Sequence, residues 1–340
     1  MNEKLRGVNF GGWLVLEKWM TPSLFVGLEA EDETSFCREL GENAEQILRQ
    51  HWETFITAED IQWLSDIGIN AVRIPVGHWL FGDIEPYFGA IDILDNMMSE
   101  LNQKNIKVIL DLHAAPGNQN GEDHGGIKGV CEWHQDSVNI AQTLYFLGRL
   151  AAHYQESENL YAIQLLNEPH WDIPIDILKE YYIQGYTRIR NHLSAEKTAI
   201  IISDGFRPKE WGDFMKEPDF SNVLIDSHLY QCFTNEEENL DIHGHIQKAV
   251  IDRKNEVQEI QDQLWMIIGE WSLGLPEKTF SDHDEFTHNM SRRAYAAAQL
   301  ISYERCQGWF FWSYKLENSI APGWDFRECV KRGWLPNNYS

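Results

Sequence analysis

Two glutamates stand where a pair of carboxyl groups could act together. Glu168 follows the apolar residues 165–166, and Glu270 follows the apolar run 264–268. Burial beside such runs raises the pKa of a carboxyl group unless a partner offsets the effect, which suits the group to acid–base work. Cleavage of a glycosidic bond uses such a pair, because one carboxylic acid protonates the leaving oxygen while the other carboxylate attacks the anomeric carbon. We therefore expect Glu168 to be the acid/base and Glu270 the nucleophile.

Polar neighbours along the chain divide the two roles. Arg73 and Tyr230 are expected to donate hydrogen bonds to Glu270 and to keep it ionised, as a nucleophile must be. Glu168 is expected in a less cationic corner, where it keeps the proton that an acid needs. A lone glutamate after a strand is more often a helix N-cap neighbour or a surface charge, and the shared setting of these two favours catalysis instead.

Further polar and aromatic residues end the same apolar runs. Asn167 is expected to bond the 2-hydroxyl group of a sugar, and Trp312 to offer its flat apolar face to the sugar ring. Structural alternatives stay open, since Arg73 could be an ion-pair partner, His113 a core histidine and Trp312 ordinary packing. The residues that close the predicted strands are Arg73, His113, Asn167, Glu168, His228, Tyr230, Glu270 and Trp312.

Eight short apolar runs separated by longer helix-like segments must position these residues. The runs are nearly continuous in apolar residues, which is typical of parallel strands buried on both faces. Between them, Ile91–Gln103 and Ala294–Tyr303 carry apolar residues at helical spacing. The predicted strands are 7–10, 71–75, 107–113, 162–168, 199–204, 223–230, 265–270 and 308–314.

This alternation predicts a single (β/α)₈ TIM barrel domain over residues 1–340, with active-site residues at the carboxyl ends of the strands. The fourth and seventh strands, which carry Glu168 and Glu270, are expected on facing sides of the barrel. A doubly wound open sheet is the alternative, but the glycine-rich phosphate turn expected after its first strand is missing.

Three segments are too long for plain connections, and each is expected to lie over the catalytic face: Trp13–Glu53, Val76–Ala90 and Ala114–Asp136. The chain also has 14 tryptophans, several of them in these segments or near strand ends. Stacking on sugar rings would explain that placement for some of them. The candidates are Trp13, Trp19, Trp79, Trp133, Trp171, Trp271, Trp312 and Trp324.

Composition excludes several classes of partner. A formal net charge of −25 repels nucleic acid and anionic membranes but says little about neutral sugars. The five scattered cysteines form no CxxC pair, and the start at Met1 lacks an apolar signal segment. A cytoplasmic protein is therefore expected, with secretion open only if a signal was removed.

Metal and cofactor motifs are weak in this chain. His124 and His134 lie near acidic residues, but their spacing matches no known ligand set. No P-loop and no GxSxG motif occurs. We expect neither a metal nor a cofactor, and the sequence leaves the oligomeric state undetermined.

These residues resemble glycoside hydrolase family five, a family of retaining barrel glycosidases. The segment Asn167-Glu168-Pro169 and the later Glu270 are similar to that family's acid/base and nucleophile segments. The segments 7–17, 21–25, 111–121, 308–315 and 324–326 resemble those of the fungal exo-β-1,3-glucanases. That resemblance implies that Glu17 contacts the terminal glucose, and that the substrate is a β-linked gluco-oligosaccharide, with β-1,3 linkage favoured.

Several alternatives stay open at this point. The same mechanism could serve a β-1,4-glucanase, a mannanase, or an aryl- or lipid-glucosidase. A non-catalytic sugar-binding barrel and a metal-dependent hydrolase are the rivals of other classes. The chain departs from the resembling enzymes at Glu122, Asp123 and His124 in the third loop, which leaves the acceptor side and the choice between exo and endo action undetermined.

Overall fold

In the computed structural model, which describes residues 3–319 and 321–340, eight parallel strands close into a barrel in chain order. Each strand pairs with its sequence neighbours, and the first pairs with the last. The (β/α)₈ fold predicted from the sequence is confirmed. The strands are β1 Leu5–Asn9, β2 Ala71–Gly77, β3 Lys107–Ala114, β4 Leu160–Gln164, β5 Ala199–Ser203, β6 Val223–His228, β7 Trp265–Trp271 and β8 Gly308–Phe311.

Helices follow the strands and cover the outside of the barrel. The α-helices are α1 Glu33–Leu40, α2 Asn43–Phe55, α3 Ala58–Asp66, α4 Ile91–Gln103, α5 Ser137–His153, α6 Ile175–Arg190, α7 Asn235–Glu238, α8 Ile242–Gln247, α9 Lys254–Gln261, α10 Glu285–Tyr303 and α11 Phe326–Lys331. A π-helical segment, Lys248–Arg253, joins α8 to α9. Short 3₁₀ helices lie at Pro22–Phe25, Asp123–Gly125, Pro208–Glu210, Glu277–Phe280, Glu317–Ser319 and Pro322–Trp324. Among the helices described, none is long and apolar enough to cross a membrane.

Burial on both faces explains the continuous apolar runs. Every residue of β2 and β5 is buried. One set of side chains packs inside the barrel and the other packs against the helices. Inside, the strands approach so closely that a Cβ atom on Gly7 would lie 2.4 Å from the Phe310 ring. The interior set is Leu5, Ala71, Ile109, Ala162, Ala199, Ile201, Leu224, Ile267 and Phe310.

The strand ends differ from those predicted. β4 ends at Gln164, β6 at His228 and β8 at Phe311. Hence Glu168, Tyr230 and Trp312 lie in the connections just beyond the strands. The apolar runs continue past the ladder because these connections are themselves buried over the barrel mouth, so hydrophobicity could not mark where strand pairing stops.

Helix predictions are largely confirmed. The predicted helix Ile91–Gln103 coincides with α4, and the segment Ala294–Tyr303 is the second half of α10. The segment Trp13–Glu53 is not a single open loop, because α1 and most of α2 lie within it.

Candidate active site

The predicted site residues converge on one cavity of about 640 Å³ at the carboxyl ends of the strands. Three further predicted residues lie close beneath the cavity. Arg73 and His228 each contact one of the two glutamates, and Asn167 contacts Arg73. The predicted residues that line the cavity are Glu17, His113, Glu168, Tyr230, Glu270 and Trp312.

Glu168 and Glu270 face each other across the cavity floor. A carboxylate oxygen of each lies within 4.8 Å of the other, and a nitrogen of His228 lies within the same distance of both. This nearest-atom separation fits the retaining arrangement of glycosidases, with carboxyl groups about 5–5.5 Å apart, better than the inverting one, which holds the groups about 6.5–9.5 Å apart to admit a water.

The backbone at Glu168 is unusual. Its φ angle is +39°, in the left-handed region that residues with a Cβ rarely adopt. Two contacts hold the turn: the Asn167 amide donates to the Leu112 carbonyl at 2.8 Å, and the Gln119 side chain donates to the Asn167 carbonyl at 2.9 Å. The Glu168 side chain thus points into the cavity although β4 has ended four residues earlier.

Glu270 accepts a hydrogen bond on each carboxylate oxygen. Arg73 donates to Oε1 at 3.0 Å, and the Tyr230 hydroxyl donates to Oε2 at 2.8 Å. Even so, burial raises the pKa of Glu270 to about 7, helped by the nearby charge of Glu168 and opposed by His228, Arg73 and Tyr230. These donors are the ones that the sequence pattern assigned to Glu270.

The surroundings of Glu168 correct one expectation. His228 Nδ1 lies 2.6 Å from Glu168 Oε1, and His124 Nε2 lies 3.5 Å from Oε2. Burial acts to raise the pKa of Glu168, but the charge and hydrogen bond of His228, together with His124 and His113, outweigh burial and lower that pKa to about 2. The expectation of a less cationic corner is therefore wrong, because two distant histidines, invisible as neighbours in the sequence, face this carboxylate.

His228 is the shared neighbour of three carboxylates. Its Nε2 lies 3.1 Å from Asp226 Oδ2, and its Nδ1 lies 3.4 Å from Glu270 as well as close to Glu168. Burial acts to lower the pKa of His228, yet the charges of Glu270, Asp226 and Glu168 raise it well above its usual value. The His228 imidazole, which lies between the two glutamates, is therefore in its positively charged form.

Arg73 is completely buried and lies at the centre of a polar layer under the cavity. Its guanidinium donates to Asn9, Gln164, Asn167 and Glu270 and pairs with Asp111 at 3.0 Å. The sequence pattern identified Arg73 but missed Asn9, Asp111, Gln164 and Asp226. Each is a polar residue inside an otherwise apolar strand, and that signal could have found them.

Asn167 is oriented for one open contact. Its side-chain oxygen accepts from Arg73 at 2.7 Å, while its Nδ2 is buried and has no partner within the described residues. A buried donor left without a partner is costly unless a ligand completes it. A sugar hydroxyl group is the ligand that this geometry suits.

His113 and Trp312 form a stacked pair in the cavity wall. Their rings lie 5.5 Å apart with an interplanar angle of 6°, and His113 Nδ1 lies 2.7 Å from Asp111. Burial lowers the pKa of His113 well below its usual value, so the ring is neutral. The pair presents a flat wall beside the carboxylates.

Glu17 lines the same cavity from the connection after β1. The Trp19 indole donates to Glu17 Oε2 at 2.9 Å. Burial and the charge of Asp123 raise the pKa of Glu17 well above its usual value. A buried carboxyl group of this kind can accept hydrogen bonds from sugar hydroxyls and, when protonated, can donate one to them.

Aromatic side chains form the outer wall, but not all the predicted ones do so. Trp13, Trp79, Trp133 and Trp271 are fully buried in the core, so the stacking role considered for them is wrong. Large residues pack equally well in a core, and sequence position alone could not separate the two uses. The aromatic residues that line the cavity are Trp19, Trp171, Phe206, Tyr230, Phe233, Trp312 and Trp324.

Within the described part of the chain, Glu168, His228 and Glu270 are the residues that could supply three ligands to a metal ion. His228 carries a raised pKa and Arg73 places a buried cation beside Glu270. Both effects favour a proton over a divalent ion at this point. The histidines considered in the sequence, His124 and His134, do not belong to this group.

Comparison with known proteins identifies the family. Residues 37–318 match the profile described as cellulase, glycosyl hydrolase family 5. The chain belongs to glycosyl hydrolase family 5. It is 35% identical to a glucan 1,3-beta-glucosidase of Blumeria graminis over 98% of this chain and 87% of that protein. It is 34% identical to a glucan 1,3-beta-glucosidase of Schwanniomyces occidentalis, over 98% and 88% of the two chains.

Solved structures of other proteins share the barrel of this family 5 chain. A rutinosidase from Aspergillus niger superposes with a TM-score of 0.84 at 21% identity, covering 98% of each chain. The endoglucanase Cel5A of Thermotoga maritima superposes with a TM-score of 0.61 at 18% identity, covering 96% of this chain and 93% of that one. At these identities the likeness shows the fold alone. Family membership makes the protein a glycoside hydrolase that acts on O-glycosyl bonds.

Proposed function

We propose that this family 5 enzyme is a retaining β-glucosidase that releases glucose from β-1,3-linked gluco-oligosaccharides. Glu270 attacks the anomeric carbon and forms a glycosyl-enzyme while Glu168 protonates the leaving oxygen. Water, deprotonated by Glu168, then releases the sugar with its configuration retained. The observation that carries the proposal is the separation of the two carboxylates, within 4.8 Å at their nearest ligand atoms.

The accessible surfaces of the two glutamates support this division of roles. The Glu270 side chain is 6% exposed and both its oxygens accept hydrogen bonds, which suits a fixed nucleophile. The Glu168 side chain is 17% exposed. An acid must reach an oxygen that leaves with the aglycone, so the more open carboxyl group suits that role.

Protonation of Glu168 needs an explanation, because three nearby histidines, His228 above all, lower its pKa to about 2 while that of Glu270 is about 7. The hydrogen bond of 2.6 Å between His228 Nδ1 and Glu168 Oε1 supplies one. Transfer of the imidazolium proton along it gives a neutral His228 and a protonated Glu168 without changing the total charge. Arg73 and Tyr230 remain on Glu270 and stabilise its ionised form.

The remaining site residues have proposed binding roles. Asn167 would donate to the 2-hydroxyl group through its unpartnered Nδ2, and Trp312 with His113 would form the wall against the sugar ring. Glu17 would hold hydroxyls of the terminal glucose. The preference for β-1,3 linkage rests on the names of the two relatives that match 98% of this chain.

The product profile tests the proposed function. Purified enzyme is incubated with defined β-1,3-gluco-oligosaccharides and with their β-1,4 counterparts, and products are sampled early. We expect glucose from the β-1,3 series, with the β-anomer appearing first by NMR. Glu270→Gln, which keeps the shape and loses the nucleophile, serves as the inactive control and should keep the wild-type melting temperature. Turnover of the β-1,4 series alone, or of neither series, would refute the substrate assignment.

A cytoplasmic location is part of the proposal. All five cysteines are free thiols, and Cys37, Cys306 and Cys329 are buried. Free thiols are typical of reducing compartments. Fractionation of the source cells, with activity recovered from the soluble cytoplasm or from the medium, tests this location directly.

A further inference from the structure

His124 is a second histidine at the acid/base that the proposed mechanism does not yet use. Its Nε2 lies 3.5 Å from Glu168 Oε2, while His228 occupies the other oxygen of that carboxylate at 2.6 Å. The His124 side chain is 15% exposed and lines the active-site cavity. Its Nδ1 is buried and has no partner within the described residues. Among the described groups, Glu168 is therefore the polar partner of this ring, which also packs against the His113 ring at 5.0 Å between centroids.

The loop that carries His124 is fixed from several sides. His124 belongs to the 3₁₀ helix Asp123–Gly125 in the connection after β3. The Asn118 side chain donates to the carbonyls of Glu122 and Ile127, both at 2.8 Å, and so ties together the two sides of this turn. The Thr34 amide of α1 donates to the Gly126 carbonyl at 3.0 Å. These contacts fix the backbone of the turn that carries His124.

The two histidines differ in what they contact. His228 faces Glu168, Glu270 and Asp226, so its proton is tied to three carboxylates. Of the ion pairs described, His124 takes part in one, and that one is with Glu168. Other titratable or charged groups face Glu168 from the surrounding elements. They are Arg73, Asp111, His113, Tyr230, Glu270 and Glu17.

We infer that His124 is a positioning residue for the acid/base, which orients Glu168 Oε2 and stabilises the negative charge that develops there as the leaving oxygen takes its proton. This inference rests on the proposed role of Glu168 as the acid. An imidazole N–H beside the carboxylate favours the ionised form over the protonated one, which makes Glu168 a stronger acid toward a poor leaving group. It contributes little when the leaving group departs without a proton.

Leaving-group dependence tests the inference. His124→Ala is assayed with 2,4-dinitrophenyl β-glucoside, whose leaving group needs no acid, and with an alkyl β-glucoside, whose leaving group does. We expect kcat/KM for the alkyl glucoside to fall by on the order of tenfold, a part of the 10²–10⁴ that general acid catalysis supplies. The dinitrophenyl substrate should change by about twofold or less. The alkaline limb of the alkyl-glucoside pH profile should move to higher pH, because an N–H group that favours the ionised form of Glu168 has been removed.

Two further variants separate this role from a structural one. His170 also lines the cavity, but its described ion pair is with Asp172. His170→Ala should therefore change both substrates by the same factor. His124→Gln keeps a donor and should recover part of the activity on the alkyl glucoside.

Equal losses on both substrates in His124→Ala, with an unmoved pH profile, would overturn the inference. An unchanged melting temperature in that variant shows that the loop has kept its fold. If the wild-type enzyme hydrolyses neither glucoside, the proposed function fails instead, so the two failures are distinguishable.

Discussion

The ionisation of Glu270 sets the pH range in which the nucleophile is available. Burial raises its pKa to about 7, and the negative charge of Glu168 adds to that effect. On 2,4-dinitrophenyl β-glucoside, kcat/KM should rise with pH through about 7 as Glu270 ionises. Glu168→Gln removes the neighbouring charge, so the apparent pKa of this rise should move below 7. A profile measured from pH 4 to 9 checks both statements, and an unmoved or higher apparent pKa in the variant would contradict them.

Asn167 allows a test of whether one side-chain nitrogen, Nδ2, recognises the 2-hydroxyl group of the substrate. Its Nδ2 is a buried donor without a described partner, and its oxygen is fixed by Arg73. Asn167→Ala should lower kcat/KM for a β-glucoside by on the order of 10²–10³, as the loss of one transition-state donor does elsewhere. The 2-deoxyglucoside should lose much less, because it lacks the hydroxyl group. A double-mutant cycle that combines Asn167→Ala in the enzyme with removal of the 2-hydroxyl group from the substrate isolates the contact between them. Equal losses on the two substrates would instead point to a disturbed Arg73.

The short helix α1 joins two of the loops that build the cavity. Glu33, in its first turn, is completely buried and accepts a hydrogen bond from the Leu16 amide at 2.8 Å. Leu16 precedes the cavity residue Glu17 in the chain. On the other side, Asp32 accepts from the Lys128 amide at 2.8 Å. The helix therefore fixes the connection after β1 against the connection after β3.

Substitution of Glu33 tests whether α1 fixes these two connections to each other. Glu33→Ala leaves the Leu16 amide buried without a partner, which costs about 1–3 kcal/mol in the free energy of unfolding. We also expect a higher KM for glucosides, because Glu17 loses its support. Glu33→Gln keeps the acceptor oxygen and should keep KM near the wild-type value. Denaturant unfolding and steady-state kinetics on both variants give the answer, and equal KM values for Ala and Gln would show that α1 does not position Glu17.

At the same scale, sequence periodicity predicts the strands well and the connections poorly. Buried runs such as 199–203 and 265–271 show their strands directly, since parallel strands covered on both faces are continuous in apolar residues. Glu168 was expected on a strand and lies in a turn with positive φ. Its identity as a site residue still followed from the buried run before it. No local pattern encodes such a turn, because tertiary contacts to Leu112 and Gln119 hold it.

Side-chain neighbours from distant strands were harder still to predict. The sequence indicated Arg73 beside Glu270, but it gave no reason to place His228 and His124 on Glu168. Those contacts depend on strand register and on the path of the third loop. One residue of shift along β6 would turn His228 away from the barrel mouth. Register is a property of the closed barrel and cannot be derived from any single segment.

The whole molecule buries several carboxyl groups whose pKa is raised, so its stability should fall as pH rises above about 6.5. Burial raises the pKa of Asp204 to about 6, those of Asp111 and Glu270 to about 7, and that of Glu33 to about 8. In the unfolded chain such groups titrate near pH 4. Above about pH 6.5, where unfolded histidines have lost their proton, the folded state thus binds more protons, and its stability falls as pH rises. Between about pH 4 and 6.5 the buried histidines His51, His78 and His245, whose pKa burial lowers to about 4, act in the opposite direction. The raised pKa of His228 acts in the same direction as the carboxyl groups, because its stabilisation is present below the unfolded value and is lost as pH rises through the folded one. The lowered pKa of Glu168 adds stability that is lost only as pH falls from about 4 toward 2, so this contribution is constant at higher pH.

We therefore expect the melting temperature to be highest near about pH 6.5 and to fall steadily toward pH 8.5. The formal net charge of −25 adds self-repulsion in the same direction as the last carboxyl groups ionise. Glu33→Gln removes the group with the highest of these pKa values. Near pH 8, the melting temperature of this variant should therefore fall less steeply with pH than that of the wild type. Glu53→Gln, at an exposed position of α2, is the matched control and should follow the wild type. Calorimetry at half-unit steps of pH measures all three proteins. A melting temperature that rises between about pH 6.5 and 8 would mean that the buried carboxyl groups are ionised in the folded state, with Arg73 and the polar layer compensating their burial.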